Sequence, residues 1–397
     1  MTFIYRTFAL MKKLRILVIA LGAALFLGSC NDDKEPGYSY EIPPKTSDGW
    51  EVSSSNEVGL DSAQLIDMVD YLASRYEHQI HSLVIVKNNN LVFEKYFEGF
   101  LYSNNPPGSN GDFILYDRET DHFLASVSKS VTSVIFGAAL KAGFIANEDT
   151  LLLDVLPDYE HILIGEKADI TLEHLLCMSS GLHWDEWSTS YEDPANDVVA
   201  LFNEDDPIEY ILSKPMTSSP GDEFQYNSGC TNVLGAVIEK ESGMSLLDFA
   251  NEYLFDPLNV QGGLWEKMAG GYYFASGGIY LRPRELTKIG YLFLNEGSWD
   301  NSQIITKEWI SESIAPHIQT DDLIPQSESY GYQWWIMDFH ANNQTYECFF
   351  AAGWGDQYMF IFPDQEMIIT INSGNFAGAV NMSIFNFVEN HILPGLL

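Results

Sequence analysis

Ala125-Ser126-Val127-Ser128-Lys129 opens a predicted helix in the first half of this 397-residue chain. Apolar residues recur behind it at helical spacing until Gly143 ends the pattern: Val131, Val134, Ile135, Ala138, Ala139 and Ala142. Positions i and i+3 share one face of a helix, so the side chains of Ser126 and Lys129 are predicted to be neighbours. The first helical turn also presents backbone N–H groups without intrahelical partners. The segment therefore brings a hydroxyl, an amine and free N–H groups together.

The pairing of Ser126 with Lys129 suits nucleophilic catalysis. A serine hydroxyl is a weak nucleophile and needs a base beside it. A lysine can be that base when burial or a cationic neighbour lowers its pKa from about 10.4 toward neutrality. Ser-x-x-Lys occurs only here in the chain. Taken alone, the pattern describes equally well a serine helix cap followed by a solvated lysine.

Two downstream segments offer complementary groups. Residues 220–229 form a polar turn that contains Tyr226, whose hydroxyl could pass protons between a nucleophile and a leaving group. At residues 350–355 a predicted strand ends in glycines, where strand N–H groups can bind a carbonyl oxygen. Without further support, the first is an ordinary surface turn and the second a strand end. Tyr102-Ser103-Asn104 offers another tyrosine, but it precedes Ser126 in a Pro-rich loop and is not expected to take part.

The order of these motifs resembles the class C β-lactamase-like serine hydrolases. The matching motifs are Ser126-x-x-Lys129, Tyr226-Asn227-Ser228 and Ala352-Gly353-Trp354. Residues 170–182, 220–221, 256–258 and 275–278 look like the family as well, and the resemblance runs from about residue 60 to about residue 390. That family includes penicillin-binding carboxypeptidases, β-lactamases, esterases and aminohexanoate-oligomer hydrolases.

The resemblance implies roles for individual residues. Ser126 would form the acyl-enzyme, Lys129 would activate it, and Tyr226 would protonate the leaving group and help to activate the deacylating water. The backbone N–H groups of Ser126 and Trp354 would form the oxyanion hole. The substrate would be a small ester or amide, and neither a metal nor a cofactor is implied.

Two further sets of residues are predicted to contact the substrate. From the resemblance these are Ser228, Ala352 and Gly353. From their position after a Ser-Gly-Leu turn they are Trp184 and Trp187, which could line an apolar pocket. The alternative for both tryptophans is packing within the helical part of the fold.

Two departures from the family pattern narrow the chemistry. Ser228 stands where the second motif often has Asn, and Ala351 stands where penicillin-recognising members have Lys or His. Without that cation, a substrate carboxylate loses a charge-assisted contact worth about 1.5–3 kcal/mol. We therefore expect an esterase or amidase with weak or no β-lactamase activity. The alternatives are a D-Ala-D-Ala-type carboxypeptidase or β-lactamase, and a non-catalytic surface lipoprotein that binds a ligand.

The expected fold is α+β, with an antiparallel sheet built from N- and C-terminal strands, flanked by helices, and a large mainly helical insertion at about residues 123–312. A helix at 60–76 and a hairpin with strands at 82–86 and 91–97 begin the domain. Residues 102–111 are predicted to be a polar loop. Strands at 330–338, 346–352, 357–362 and 367–371 and a helix at 379–391 end it.

The N-terminal residues predict export. A basic leader at 11–15 precedes an apolar run at 16–27 that is too short to span a bilayer, so residues 1–29 are predicted to be a signal peptide. Leu27-Gly28-Ser29-Cys30 resembles a bacterial lipobox, which makes Cys30 the predicted lipidation site and membrane anchor. Residues 30–56 would be a tether and 57–397 the hydrolase domain. The expected location is the outer membrane of a Gram-negative bacterium, on its periplasmic or surface side.

Charge and the remaining residues set further limits. The chain has 20 basic and 56 acidic residues, a net charge of −36, so nucleic acid is excluded as a partner. Cys177, Cys230 and Cys348 show no metal-binding spacing and are predicted to be buried free thiols. Three residues are expected to be structural: His174 in the core or as a cap, and Arg282 and Arg284 in ion pairs. Nothing in the sequence indicates an oligomeric state.

Overall fold

An eight-stranded antiparallel sheet, with strands from both ends of the chain, is the centre of the fold. The computed structural model describes residues 37–75, 78–320, 327–378 and 382–397, and residues 40–397 form one compact unit. In the described parts the strands are β1 (Ile80–Lys87), β2 (Asn90–Tyr96), β3 (Glu98–Asn104), β4 (Pro107–Leu115), β5 (His122–Phe123), β6 (Leu264–Trp265), β7 (Ile279–Leu281), β8 (Ser298–Trp299), β9 (Ser302–Gln303), β10 (Ile318–Gln319), β11 (Ser329–Tyr330), β12 (Trp335–Ala341), β13 (Gln344–Gly353), β14 (Gln357–Phe362) and β15 (Met367–Ser373).

Helices cover this sheet. Those in the described parts are α1 (Ser62–Ala73), α2 (Val127–Ala142), α3 (Leu152–Val155), α4 (Leu172–Leu176), α5 (Asp197–Ala200), α6 (Pro207–Ser213), α7 (Ser228–Ser242), α8 (Leu246–Ala250), α9 (Pro283–Leu294), α10 (Lys307–Ser313) and α11 (Ile384–His391). Every residue of β1 and of β15 is buried, which requires cover on both faces of the sheet. Helix α9 packs on β1, β14 and β15, whereas α11 packs on β12.

The order of strands in the main sheet is β10-β11-β12-β13-β14-β15-β1-β2. The N-terminal hairpin joins the C-terminal strands through β1 and β15, where Leu83 lies opposite Ile371. The chain between β2 and β10 carries most of the helices together with three small sheets. The expected α+β fold, with a sheet from both chain ends and a mainly helical insertion, is thus confirmed.

The predicted polar loop at residues 102–111 is wrong for most of its length. Strands β3 and β4 pair there as a second hairpin, with Phe100 opposite Phe113. Most of β4 is at least partly exposed to solvent, so no buried apolar face marks it as a strand in the sequence. Pro106 and Gly108, interpreted as loop breakers, lie at or next to the hairpin turn.

The described end of the predicted tether packs on the domain. Trp50 is only 1% exposed. Its ring forms T-shaped contacts with the rings of Tyr291 and Trp299, with 5.4 and 5.2 Å between the ring centres. The Tyr40 hydroxyl donates to the carbonyl of Val92 at 2.8 Å. The buried Trp50 side chain therefore holds in place a segment that was predicted to be a free tether because its composition is polar and Pro-rich. The signal peptide and Cys30 lie outside the described residues, and no helix within them is long and apolar enough to cross a membrane.

The contacts of Arg282, Arg284 and His174 agree with the structural roles that were expected for them. The Arg284 guanidinium donates two hydrogen bonds to Glu94, at 2.7 and 2.8 Å, and one to Asp48 at 2.7 Å. Arg282 pairs with acidic side chains of residues 119 and 121. His174 forms a capping box with Thr171 at the start of α4. The three cysteines after Cys30 are buried free thiols, as predicted.

Candidate active site

Ser126 lies at the start of α2, in the position predicted from the sequence. It is partly exposed, whereas the helix behind it is buried along most of its length. Ala125, immediately before it, has φ +46°, a left-handed conformation that costs energy in a non-glycine residue. The serine thus stands at a strained turn into a helix, with its side chain open to a cleft.

Lys129 contacts the hydroxyl of Ser126 directly. Its Nζ lies 2.9 Å from Ser126 Oγ and 2.9 Å from the carbonyl oxygen of Ser276. The side chain is buried, and burial lowers its pKa from 10.5 to about 8, although the Glu186 carboxylate acts in the opposite direction. About a tenth of Lys129 is therefore a free amine at pH 7 and can accept a proton.

The carbonyl that holds Lys129 is itself held in place. Asn232, on α7, donates from Nδ2 to Ser276 Oγ at 3.0 Å and accepts from the Ser276 backbone N–H at 3.2 Å. Both side chains are buried. Helix α7 therefore fixes the position of the acceptor that directs the lysine toward Ser126.

Tyr226 completes the group around Ser126. Its hydroxyl interacts with the side chain of Ser126, and Lys129 Nζ lies 4.9 Å from the centre of its ring. The ring stacks on Trp335 at 5.8 Å. Burial and the nearby Glu186 carboxylate raise the Tyr226 pKa well above its usual value. The tyrosine is consequently a neutral phenol, able to donate its proton.

Glu186 is a buried carboxylate beside this group, and its role was not found from the sequence. It is 1% exposed. Its Oε2 accepts from Trp184 Nε1 at 2.6 Å and from the Ser228 backbone N–H at 3.1 Å. Its Oε1 has no hydrogen-bond partner among the described residues. An acid four residues after a turn looks like any surface acid, and only the fold reveals its burial.

The two tryptophans predicted to line a pocket do not line the cleft. Trp184 is buried, and its ring lies 6.5 Å from that of Tyr210. Trp187 is 59% exposed and lies 5.7 Å from the Tyr226 ring. Trp184 therefore fits the alternative of packing within the helical part of the fold.

The glycine-ended strand lies directly against Ser126. A Cβ on Gly353 would lie 2.5 Å from the Leu124 carbonyl oxygen and 3.1 Å from the Ser126 nitrogen. Only glycine allows the strand this close. Trp354 follows and lines the cleft together with Ser126, which suits the predicted oxyanion hole. Ala351 is completely buried, and neither Ala352 nor Gly353 lines the cleft.

The cleft has a volume of about 340 Å³ and is mainly apolar. Its lining residues include Ser126, Lys129, Ser228, Tyr102, Phe123, Tyr191, Val198, Val199, Phe202, Glu266, Phe274 and Trp354. Tyr102, not expected to take part, stacks on Phe123 at 4.0 Å. Of the described residues that line this cleft, Lys129 is the only cationic one.

Two of the relatives by sequence are named as hydrolases. The 6-aminohexanoate-dimer hydrolase of Paenarthrobacter ureafaciens is 26% identical over 269 residues, which are 62% of this chain and 64% of that enzyme. Lovastatin esterase of Penicillium rubens is 25% identical over 158 residues, 35% of this chain and 38% of that enzyme. The chain thus matches less than two thirds of the length of either relative.

Solved structures share the fold. A Bacillus anthracis protein provisionally named 6-aminohexanoate-dimer hydrolase superposes with a TM-score of 0.63 at 20% identity, covering 89% of this chain and 86% of its own. FmtA from Staphylococcus aureus superposes with a TM-score of 0.60 at 16% identity, covering 89% and 93%. The Beta-lactamase family model matches residues 70–381, a range that contains the whole cleft and the group around Ser126. The chain therefore belongs to the β-lactamase-like serine hydrolase family.

Proposed function

We propose that this protein hydrolyses an ester or amide through an acyl-enzyme on Ser126, with Lys129 as the base and Tyr226 as the acid in the acylation step. The observation that carries the proposal is the 2.9 Å contact between Lys129 Nζ and Ser126 Oγ. Burial of that lysine lowers its pKa to about 8, which suits a general base at neutral pH. The hydrolase relatives support the same class of reaction.

The proposed reaction has two halves. In the first, the free amine of Lys129 takes the proton of Ser126 while Oγ attacks the carbonyl carbon. The backbone N–H groups of Ser126 and Trp354 stabilise the oxyanion. Tyr226 donates its phenol proton to the leaving alcohol or amine and recovers a proton from the Lys129 ammonium. In the second half, water gives up a proton to the same pair and attacks the acyl carbon. The bond from the acyl carbon to Ser126 Oγ then breaks, the pair returns the proton to Oγ, and the acid is released.

The cleft favours a neutral, apolar substrate. Aromatic and aliphatic side chains dominate its lining, and Glu266 adds a carboxylate. Ala351 is buried and supplies no cation, so the only positive charge for an anionic substrate is the catalytic lysine itself. This arrangement favours an esterase or amidase over the alternatives of a β-lactamase and a D-Ala-D-Ala-type peptidase. Ser228 lines the cleft and is the proposed polar contact for the substrate.

A covalent labelling experiment separates the possibilities. The protein is incubated with a fluorophosphonate probe and, in parallel, with a penicillin, and the intact mass is measured. We expect a probe adduct on the unaltered protein and on Ser188→Ala, an exposed serine outside the cleft, but none on Ser126→Ala. Labelling by both reagents would instead support the β-lactamase or peptidase alternative. Absence of any adduct that depends on Ser126 would support a non-catalytic ligand-binding lipoprotein.

We also propose that the protein is exported and anchored through a lipid on Cys30. The support is the basic leader, the short apolar run and Leu27-Gly28-Ser29-Cys30. Expression with labelled palmitate should give a labelled protein in the outer-membrane fraction. Cys30→Ala should remove the label, whereas Cys348→Ala should keep it. A label that persists in Cys30→Ala would refute the proposed anchor.

A further inference from the structure

Glu173, Cys177 and His317 meet outside the cleft. Glu173 belongs to α4, Cys177 is the residue that ends this helix, and His317 precedes β10. The carboxylate oxygen, the thiol sulfur and an imidazole nitrogen all lie within 4.8 Å of one another. Residues four apart share one face of a helix, which places the carboxylate and the thiol side by side.

One ring nitrogen of His317 is hydrogen-bonded, whereas the other faces a hydrogen-bond acceptor. Its Nε2 lies 2.8 Å from the Glu312 carbonyl oxygen, which only accepts, so Nε2 carries the proton. In the neutral ring Nδ1 then presents a lone pair. That lone pair faces Glu173 Oε1 at 3.7 Å, which is another acceptor. Two acceptors that face each other at this distance can share a bridging water or a proton, or they can bind a cation between them.

Neighbouring groups hold both acceptors in this arrangement. The Tyr332 ring stacks on the His317 ring at 4.2 Å with an angle of 5°. The Tyr332 hydroxyl donates to Glu173 Oε1 at 3.1 Å. A metal-binding histidine typically donates its second ring N–H to a carbonyl or carboxylate, as His317 does to Glu312.

We propose that Glu173, Cys177 and His317 bind one Zn²⁺ ion, with water as the fourth ligand. Zinc prefers sulfur, imidazole nitrogen and carboxylate oxygen in tetrahedral sites, at about 2.0–2.3 Å. The ligand atoms must therefore move closer together by roughly 1 Å. The His317 and Glu173 side chains are 18% and 34% exposed, which gives them room to move and gives the ion a path to enter.

The thiol binds as a thiolate. Burial and the Glu173 carboxylate raise the pKa of Cys177, so the free thiol keeps its proton. Zinc binding displaces that proton to solvent. The ion would join α4 to the segment before β10. It would also fix the turn after Cys177, where the Met178 carbonyl accepts from the Gln225 N–H at 2.8 Å, next to Tyr226.

Metal binding by the purified protein tests this site. The protein is dialysed against zinc chloride, and bound zinc is measured by plasma mass spectrometry. We expect about one zinc per chain in the unaltered protein and in Cys348→Ala, a buried free thiol outside the cluster. Cys177→Ala should bind less than about a tenth as much, and His317→Gln should bind at least about tenfold more weakly.

Cobalt provides a second readout that depends on the thiolate. Cobalt added to the unaltered protein and to Cys348→Ala should give a thiolate-to-cobalt charge-transfer band, which Cys177→Ala should lack. If circular dichroism shows that Cys177→Ala does not fold, the comparison with His317→Gln tests the proposal instead, because the side chain that is replaced there is partly exposed. The proposal is overturned when the unaltered protein binds no more zinc than His317→Gln and shows no charge-transfer band.

Discussion

Lys129 determines how the rate should depend on pH. In the proposed reaction the reactive form is the free amine, and its pKa is lowered by burial to about 8. The fraction of free amine rises with pH up to that value. We therefore expect kcat/KM for a neutral p-nitrophenyl ester to increase about tenfold per pH unit below pH 8 and to level off above it. An inflection near pH 10.5, the ordinary value for lysine, would show that the amine is not buried as described.

Glu186 should influence the pH at which kcat/KM levels off. Its carboxylate raises the pKa of Lys129, in opposition to burial. Glu186→Gln removes the charge but keeps an oxygen to accept from Trp184 and Ser228. The inflection of kcat/KM should then move to lower pH, with the fold unchanged by circular dichroism. The matched control is Asp185→Asn, the adjacent and partly exposed carboxylate, which should leave the inflection where it is. An upward or absent shift in Glu186→Gln would contradict this electrostatic role.

The residues around Ser126 differ in how far the sequence could predict them. Ser126, Lys129 and Tyr226 were found because a local spacing and the order of motifs mark them. Glu186 and Tyr102 were not, because long-range folding alone brings them to the site. Trp184 was misplaced for the same reason: an aromatic residue near a motif can face the cleft or the core, and spacing does not distinguish the two.

At the scale of elements, α2 is fixed by its neighbours on several sides. Thr132 Oγ1 donates to the Ala275 carbonyl at 2.8 Å, and the Ile279 N–H donates to Ser128 Oγ at 3.2 Å. On another side, Gly137 lies against Trp309. These contacts hold the helix that carries Ser126 and Lys129 against the segment that carries Ser276.

The contact at Gly137 reverses the usual effect of a helical Gly→Ala substitution. Alanine ordinarily stabilises a helix by about 1 kcal/mol over glycine. A Cβ at position 137 would lie 2.2 Å from Cδ1 of the buried Trp309 ring. We expect Gly137→Ala to lower the free energy of unfolding by about 1–3 kcal/mol, measured by urea denaturation.

Gly290 in α9 is the matched control for Gly137. A Cβ there would meet side-chain atoms of Met359, Ile368 and Ile361 at 3.0–3.4 Å, and these can shift by small amounts. Gly290→Ala should therefore be clearly less destabilising than Gly137→Ala. Equal or greater stability of Gly137→Ala compared with the unaltered protein would mean that α2 and Trp309 are not packed as described.

The elements that the sequence predicted well are those with a buried face. Periodic apolar residues mark α2, and short apolar runs mark β14 and β15. The hairpin β3–β4 was taken for a loop because solvent reaches most of β4. The packed segment around Trp50 was taken for a tether because one buried tryptophan does not change a polar composition.

At the scale of the whole molecule, charge should select the substrate. The net charge of −36 creates a field that repels anions, and the cleft offers them only Lys129 among its described lining residues. Two esters of the same alcohol provide the comparison, one with a neutral acyl chain and one with an acyl chain that ends in a carboxylate. The anionic ester should react with the lower kcat/KM.

Ionic strength separates the long-range field from contacts within the cleft. The Debye length falls from about 30 Å at 0.01 M salt to about 8 Å at 0.15 M salt. Added salt therefore screens the surface charge, but it does not replace a contact that the cleft lacks. The kcat/KM of the anionic ester should therefore rise with salt while that of the neutral ester stays level. A deficit that remains at high salt would reflect the lack of a second cationic side chain among the described residues that line the cleft, a lack that a penicillin carboxylate would also meet. Equal rates for both esters at low salt would refute selection by charge and would return the β-lactamase alternative to consideration.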